Sequence, residues 1–446
     1  MGKLFGTDGA RGIVGKELNI DVVMKIGAST ARVLKKENEQ LTFLIGSDTR
    51  ISKDVLKNAL IAGVLSENAN IIDLGIIPTP AISYLIRKYN ATGGFVISAS
   101  HNPCEYNGIK IFNSQGYKLA DELEEKIEEI VFNDFHLNEN INDVGKYNYE
   151  ENAKEDYVNY LCDSVDNDFS NLKIGVDVAN GAAYETAKML FNKLGIQYMM
   201  INYNPDGYNI NKNAGSTSLD NLKKFVVENK LNCGVAFDGD ADRCLFVDEE
   251  GNEVDGDKIL AIYGKYLLDN GLLKNNAIVG TVMSNLGLVK FCENNNITFV
   301  ATKVGDRYVL ENMLDNDYII GGEQSGHIIF KELANTGDGE LTAIQILNIM
   351  KKKNKSLKEL ASIIEKYPQV LKNVKVSKDG KETFRQNNRI IEFISKYEKQ
   401  LGNEGRILVR ASGTENLIRI MVEGKNLDEI SNICDKIVDV IEKELK

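Results

Sequence analysis

Apolar runs alternate with amphipathic stretches over most of this chain, and that alternation predicts α/β architecture. LTFLIGSDT (41–49), ANIIDLG (69–75) and GGFVISAS (93–100) read as buried strands. Between the first two, residues 53–67 repeat apolar positions at helical spacing, and a charged helix is expected at 120–131. The polar stretch NENINDVGKYNYEEN (138–152) reads as a linker. The pattern restarts at LKIGVDVANGAAYETAKMLFNKLG (172–195), strand then helix, followed by QYMMINY (197–203) and NCGVAFDGDAD (232–242). A third restart follows Gly256, with a helix at 257–269 and strands AIVGTVMS (277–284), ITFVATKVG (297–305) and YIIGGEQS (318–325). From about residue 370 the texture becomes helix, then RILVRAS (406–412), IRIMVEG (418–424) and a closing helix at 426–445. The fold class expected is α/β: three similar α/β modules with mixed sheets and a smaller C-terminal α+β module. The divisions fall at 1–150, 151–254, 255–368 and 369–446.

Each α/β module has a strand ending in a polar, glycine-containing loop or its equivalent: SASHNP, DGDADR and GEQSGH. Open α/β sheets bind ligands beyond the carboxyl ends of their strands. Together with RASGTEN from the fourth module, these loops could line one cleft.

Composition narrows the possibilities. No apolar segment approaches the ~18 residues that span a bilayer, and the N-terminus lacks the apolar core of an export signal. It begins Met-Gly, but Gly6 stands where a myristoylation signal wants Ser or Thr. The six cysteines (104, 162, 233, 244, 292, 434) show no CxxC spacing, which argues against zinc and a disulfide framework and for reduced cytoplasmic thiols. A net charge of −12 argues against a nucleic-acid partner. Small anions need only a local positive pocket.

In FDGDADRC, Asp238, Asp240 and Asp242 alternate, so on extended or gently curved backbone their carboxylates could converge. Converging carboxylates repel unless a hard cation neutralises them, and such oxygen ligands suit Mg²⁺. An EF-hand is the competing motif, since Glu249 stands twelfth from Asp238. Its sixth position, however, is Arg243 where that loop needs glycine, and the flanks read as strands. In RASGTENLIRI, Ser412, Gly413 and Thr414 offer backbone N–H groups and hydroxyls, while Arg410 and Arg419 add charge, a combination that suits an anion nest. An ordinary Ser-Gly turn is the alternative. GGEQSGH offers Glu323 and Ser325 to sugar-type hydroxyls and His327 for proton transfer.

Ser100 and His101 are adjacent, so on extended backbone their side chains point opposite ways. The nucleophile-elbow pattern GxSxG is absent, and a hydrolytic triad is not expected. A cation on the three aspartates would instead stabilise a phosphoryl group on the Ser100 hydroxyl, with Lys110 neutralising further charge. Ser98 reads as strand-end structure.

With SASHNP, DGDADR, GEQSGH and RASGTE in that order, the chain resembles the α-D-phosphohexomutase superfamily. FGTDGARG, GSDTR, DVANGAAY, TVMSNLGL, KVGDRYV and TGDG extend the likeness from Phe5 to about Glu423. It is closest to the amino-sugar branch, because the neutral-hexose branch typically has methionine where Gln324 stands. The resemblance implies four domains around one central cleft, the fourth a smaller lid. It implies an isomerase interconverting glucosamine 6-phosphate and glucosamine 1-phosphate through phosphoserine at Ser100 and a 1,6-bisphosphate, on the route to UDP-N-acetylglucosamine and cell wall. One Mg²⁺ per chain would be held by Asp238, Asp240, Asp242 and the Ser100 phosphate. Glu323 and Ser325 would read sugar hydroxyls, with Arg243, Gly305 and Asp306 among the substrate contacts. Arg410, Ser412, Gly413, Thr414 and Arg419 would grip the non-reacting phosphate. His327, Lys110, His101 and Arg11 are all candidates for the proton shuttle. Asn416 departs from the proline usual after SGTE, which puts the rigidity of that loop in question. The implied setting is cytoplasmic, with small sugar phosphates as partners, no nucleic acid or membrane, and a homodimer compatible with it. The competing readings are a phosphomannomutase/phosphoglucomutase, a phosphatase, and a silent sugar-phosphate-binding protein, against which the intact serine and aspartates argue.

Overall fold

The computed structural model describes residues 4–6, 8–35, 40–133, 135–136, 143–412 and 416–445. They fall into two compact units: residues 1–283 with 297–363, and residues 284–296 with 364–446.

Three sheets of the larger unit share one four-strand plan. In the first, Thr42–Ser47 lies parallel to both Asn70–Ile76 and Gly93–Ile97, and Tyr106–Asn113 joins Gly93–Ile97 antiparallel. In the second, Lys173–Asp177 lies parallel to Gln197–Ile201 and Cys233–Phe237, which is joined by antiparallel Cys244–Asp248. In the third, Ala277–Thr281 lies parallel to Thr298–Thr302 and Ile320–Gly322, which is joined by antiparallel Ile328–Phe330. The central strands are buried throughout or nearly so, as strands covered on both faces must be. In all three modules the hairpin between the last two strands holds a candidate loop: residues 98–105, 238–243 and 323–327. The three loops picked out along the sequence therefore occupy one equivalent position.

The first sheet grows to seven strands. Part of this growth corrects the expected linker at 138–152, because Tyr147–Tyr149 is an edge strand parallel to Asn70–Ile76. Helix Gly339–Lys353 is buried from Gly339 to Met350, and Asp338 caps its N-terminus by accepting from the Leu341 N–H.

The smaller unit contains a three-stranded antiparallel sheet with Leu417–Gly424 between Gln369–Lys375 and Gly405–Ala411. The strand Gln369–Lys375 corrects where the expected helix starts: helices Lys378–Thr383 and Asn388–Leu401 follow it, before Gly405–Ala411. Helix Leu427–Leu445 buries Ile430, Ile433, Ile437, Ile441 and Leu445, a helical period, in this unit's core. None of the six cysteines forms a disulfide. Among the described residues no helix is long and apolar enough to cross a membrane.

Candidate active site

Buried strand Gly93–Ile97 delivers the chain to a tight turn, in which the Asn102 N–H donates to the Ala99 carbonyl at 3.1 Å. Ser100 is 1% exposed with φ at 50°. Its Oγ donates to Asp238 Oδ2 at 2.6 Å. The backbone here is turned and not extended, so Ser100 and His101 do not point apart: Oγ lies 3.4 Å from His101 Nδ1. That closeness does not make a triad. Burial, helped by Arg243 and Arg11, pushes the His101 imidazole down to about 4, too weak a base to draw a hydroxyl proton efficiently.

Asp238, Asp240 and Asp242 follow strand Cys233–Phe237, and their ligand atoms lie within 4.8 Å of one another. They converge because the chain turns, with Ala241 at φ 57° and its N–H bonded to the Asp238 carbonyl at 3.1 Å, and not by alternation along extended backbone. The flanking strands exclude an EF-hand. Gly239 is obligatory for close approach, since a Cβ there would stand 2.5 Å from the Ser100 carbonyl oxygen.

Lys110 Nζ donates to Asp240 Oδ2 at 2.8 Å and to Asp242 Oδ2 at 3.2 Å. Burial works against its charge, but Asp240, Asp242 and Asp8 outweigh that and hold the ammonium well above the usual lysine range. Thr79 Oγ1 donates to Asp240 as well. Even so, Oδ1 of Asp240 and Oδ1 of Asp242 are buried with no hydrogen-bond partner. Burial and the Asp242 and Asp240 charges push the Asp238 carboxyl well above its ordinary range. Orphaned oxygens and mutual repulsion among hard donors fit a divalent, oxygen-seeking cation.

A chain of charges extends from this cluster. Asp8 pairs with Arg11 and Lys118 and lies 3.5 Å from Lys110. Lys118 reaches on to Asp306 at 2.7 Å. His327 stands between acids, Nε2 at 3.7 Å from Asp306 and Nδ1 at 3.7 Å from Asp242. The Gly337 N–H donates to His327 Nε2 at 3.0 Å, which needs a lone pair there and puts the ring proton on Nδ1. Burial lowers the affinity of this ring for a second proton, while Asp242 and Asp306 raise it and prevail. Arg243 donates its N–H to Asp238 Oδ1 at 3.2 Å and holds its Nε 3.9 Å from Asp242 Oδ1. Glu323 Oε1 accepts from the Gly305 N–H at 3.1 Å, and Ser325 is half-buried in the same hairpin as Glu323. Sequence reasoning missed Asp8, Lys118 and Thr79, and also Asp48, Arg50 and Asn211, which grip the Ser100 turn. Asp48 and Arg50 directly follow strand Thr42–Ser47, so the rule that led to the three loops could have found them.

In the smaller unit, Arg410 and Arg419 are direct cross-strand partners. Burial and the Arg419 charge lower the Arg410 pKa. Ser412 is buried, its N–H bonded to the Leu417 carbonyl at 2.9 Å, and the Asn416 carbonyl accepts from the Val376 N–H at 3.1 Å. Gly413 and Thr414 lie outside the described residues.

Models of the four phosphoglucomutase/phosphomannomutase domains match this chain: domain I at residues 2–137, domain II at 153–251, domain III at 255–367 and the C-terminal domain at 371–440. The chain belongs to the phosphoglucomutase/phosphomannomutase family. Among its relatives are the phosphoglucosamine mutases of Clostridium acetobutylicum, 49% identical over 100% of both chains, and of Acetivibrio thermocellus, 50% identical over 100% of both. The fold matches a phosphoglucomutase/phosphomannomutase family protein from Burkholderia thailandensis with a TM-score of 0.82 at 21% identity, covering 99% of this chain and 98% of that one. It also matches Aspergillus fumigatus N-acetylphosphoglucosamine mutase, solved with GlcNAc-6P and magnesium, with a TM-score of 0.69 at 16% identity over 99% and 96%.

Proposed function

We propose that the protein is a phosphoglucosamine mutase, an isomerase interconverting glucosamine 6-phosphate and glucosamine 1-phosphate through phosphoserine at Ser100. Relatives near 50% identical over the full length support the substrate. The observation that carries the mechanism is the 2.6 Å contact between the Ser100 hydroxyl and a buried carboxylate cluster suited to a divalent cation.

Ser100 passes its phosphoryl group to the sugar O1. The Oγ–P bond breaks, the O1–P bond forms, and the O1 proton goes to a base. The 1,6-bisphosphate then turns over and its 6-phosphoryl group returns to Ser100, releasing glucosamine 1-phosphate. Asp238, Asp240 and Asp242, with a Ser100 phosphate oxygen, would hold one Mg²⁺ per chain, which neutralises charge on the transferring oxygens. Lys110 and Arg243 supply fixed positive charge beside it. Among the proton-shuttle candidates, Lys110 and Arg11 are engaged as ion pairs and His101 is scarcely basic. His327 remains, an imidazole held between Asp242 and Asp306 whose proton affinity those acids raise against burial, and it is the shuttle in this reading. Glu323 and Ser325 read sugar hydroxyls, with Gly305 and Asp306 beside them. Arg410, Ser412, Gly413, Thr414 and Arg419 bind the non-reacting phosphate. Segments 1–150, 151–254, 255–368 and 369–446 act as phosphoserine, metal, sugar and phosphate domains, in a cytoplasmic enzyme of amino sugar metabolism.

Intact mass with peptide mapping tests the central step: one phosphate on Ser100 is expected. Turnover of glucosamine 6-phosphate should exceed that of glucose and mannose 6-phosphates. An unmodified Ser100 in active protein, or equal turnover of the neutral hexoses, would overturn the corresponding half of the reading.

A further inference from the structure

Ser100 holds a backbone conformation that serine rarely adopts. Its φ is 50° while His101 is not among the positive-φ residues, and the Asn102 N–H closes onto the Ala99 carbonyl at 3.1 Å. These features define a type II′ turn, whose first central position favours glycine. A strained residue persists only where its surroundings over-determine it.

Here those surroundings are identifiable. Ser98 Oγ donates to Asp48 Oδ2 at 2.6 Å and accepts the Ser100 N–H at 2.9 Å. Fully buried Arg50, paired with Asp48 at 2.9 Å, donates to the carbonyls of Ser100 at 3.0 Å and Asn102 at 2.8 Å. Asn211 donates to the same two carbonyls at 2.8 and 3.2 Å. With the Ser100 carbonyl pinned in this way, the His101 N–H on the same planar peptide must point the opposite way. At the ψ of about −120° that a type II′ turn requires, Cβ of its first central residue eclipses the next amide nitrogen. The His101 N–H is therefore directed alongside the Ser100 side chain. Among the described residues it has no acceptor.

We propose that the backbone N–H of His101 holds an oxygen of the phosphoryl group on Ser100, and that Arg50 and Asn211 are positioning residues that keep it aimed. The inference rests on the phosphoserine reading and deepens it. Its logic is that of a strained nucleophile whose following amide stabilises an oxyanion, applied here to phosphoryl oxygens with no GxSxG pattern to announce it.

With only three histidines in the chain, ¹⁵N-histidine labelling of the full-length protein yields a spectrum simple enough to assign, using His136→Gln to remove one signal. In the Ser100-phosphorylated protein the His101 amide proton should move downfield relative to the dephosphorylated form and gain a coupling to ³¹P. Asn211→Gly tolerates the positive φ of that position but lacks the donor. It should weaken the coupling and lower kcat about tenfold while leaving KM near the wild-type value, as misalignment of a reacting group does. A phosphoserine with an unmoved, uncoupled His101 amide overturns this inference alone. Absence of phosphate from Ser100 overturns the parent reading and this one with it. An Asn211→Gly protein with full coupling and full kcat removes Asn211 from the positioning role.

Discussion

Around Ser100 nearly every polar atom has a fixed partner, from neighbouring Ser98 and from the distant Asp48, Arg50, Asn211 and Asp238. At Arg410 and Arg419 two like charges face each other across neighbouring strands, a destabilising arrangement. The first region is organised before any substrate arrives, and its residual charge is negative and buried. The second sets two positive charges side by side on half-buried side chains. The contrast is the one the two proposed roles call for: phosphoryl transfer rewards preorganised geometry, whereas gripping a phosphate rewards charge that the ligand itself completes. One region calls for a cation and the other for an anion.

Removing one of the three buried carboxylates tests the first half of that contrast with the largest expected effect. Asp238→Asn should lower mutase activity about a thousandfold. In EDTA the same variant should melt above the wild type, because the buried charge and the repulsion that push Asp238 upward are gone. Its midpoint should also respond less to added Mg²⁺. A variant that melts lower in EDTA and keeps its Mg²⁺ response would show that the cluster is not a cation site.

The second half predicts a smaller loss of a different kind. Arg410→Gln should raise KM for the sugar phosphate about tenfold with kcat within about threefold, as removal of uniform binding does. Inorganic phosphate should stabilise the wild type more than the variant in thermal melts. Were kcat to collapse with KM unchanged, Arg410 would belong to the chemical step.

The two regions also differ in how far the sequence exposes them. Strand-to-loop transitions at GGFVISAS, NCGVAFDGDAD and YIIGGEQS locate the three candidate hairpins, because buried parallel strands leave continuous apolar runs. Gln369–Lys375 is hidden because Val370, Leu371 and Val374 recur at a helix-like spacing, and Leu371 is 58% exposed, so strand alternation is broken. Tyr147–Tyr149 is hidden because an edge strand of three exposed residues carries no apolar pattern. In the site, residue types and spacing point to the aspartates and to Ser100. They cannot place Asp8 against Lys118 or Asn211 against Ser100, since those contacts span 110 and 111 residues; the first depends on how one module closes on itself and the second on how two modules dock. The anion pair is the reverse case: its residues are legible, while their opposition depends on strand register.

The smallest effect concerns what holds the first region in place. Asp338 is 1% exposed, accepts from the Leu341 N–H at 2.9 Å and receives the Tyr157 hydroxyl at 2.9 Å on both oxygens. The segment it anchors donates the Gly339 N–H to the Ala241 carbonyl at 2.9 Å and the Gly337 N–H to His327, tying down the three-aspartate loop and that histidine together. Burial raises the Asp338 carboxyl from 3.8 to about 7. The protonated form therefore favours the folded chain, and its contribution is complete below about pH 4 and lost as pH rises from there through 7. Asp338→Asn keeps an acceptor oxygen for the cap but cannot ionise. Between pH 5 and 8 the wild type should lose about 2 kcal/mol of unfolding free energy relative to this variant in denaturant titrations. A difference that stays flat across that range would mean that Asp338 is already ionised in the folded chain, and that the buried anchor, like the three aspartates, leans on a positive charge.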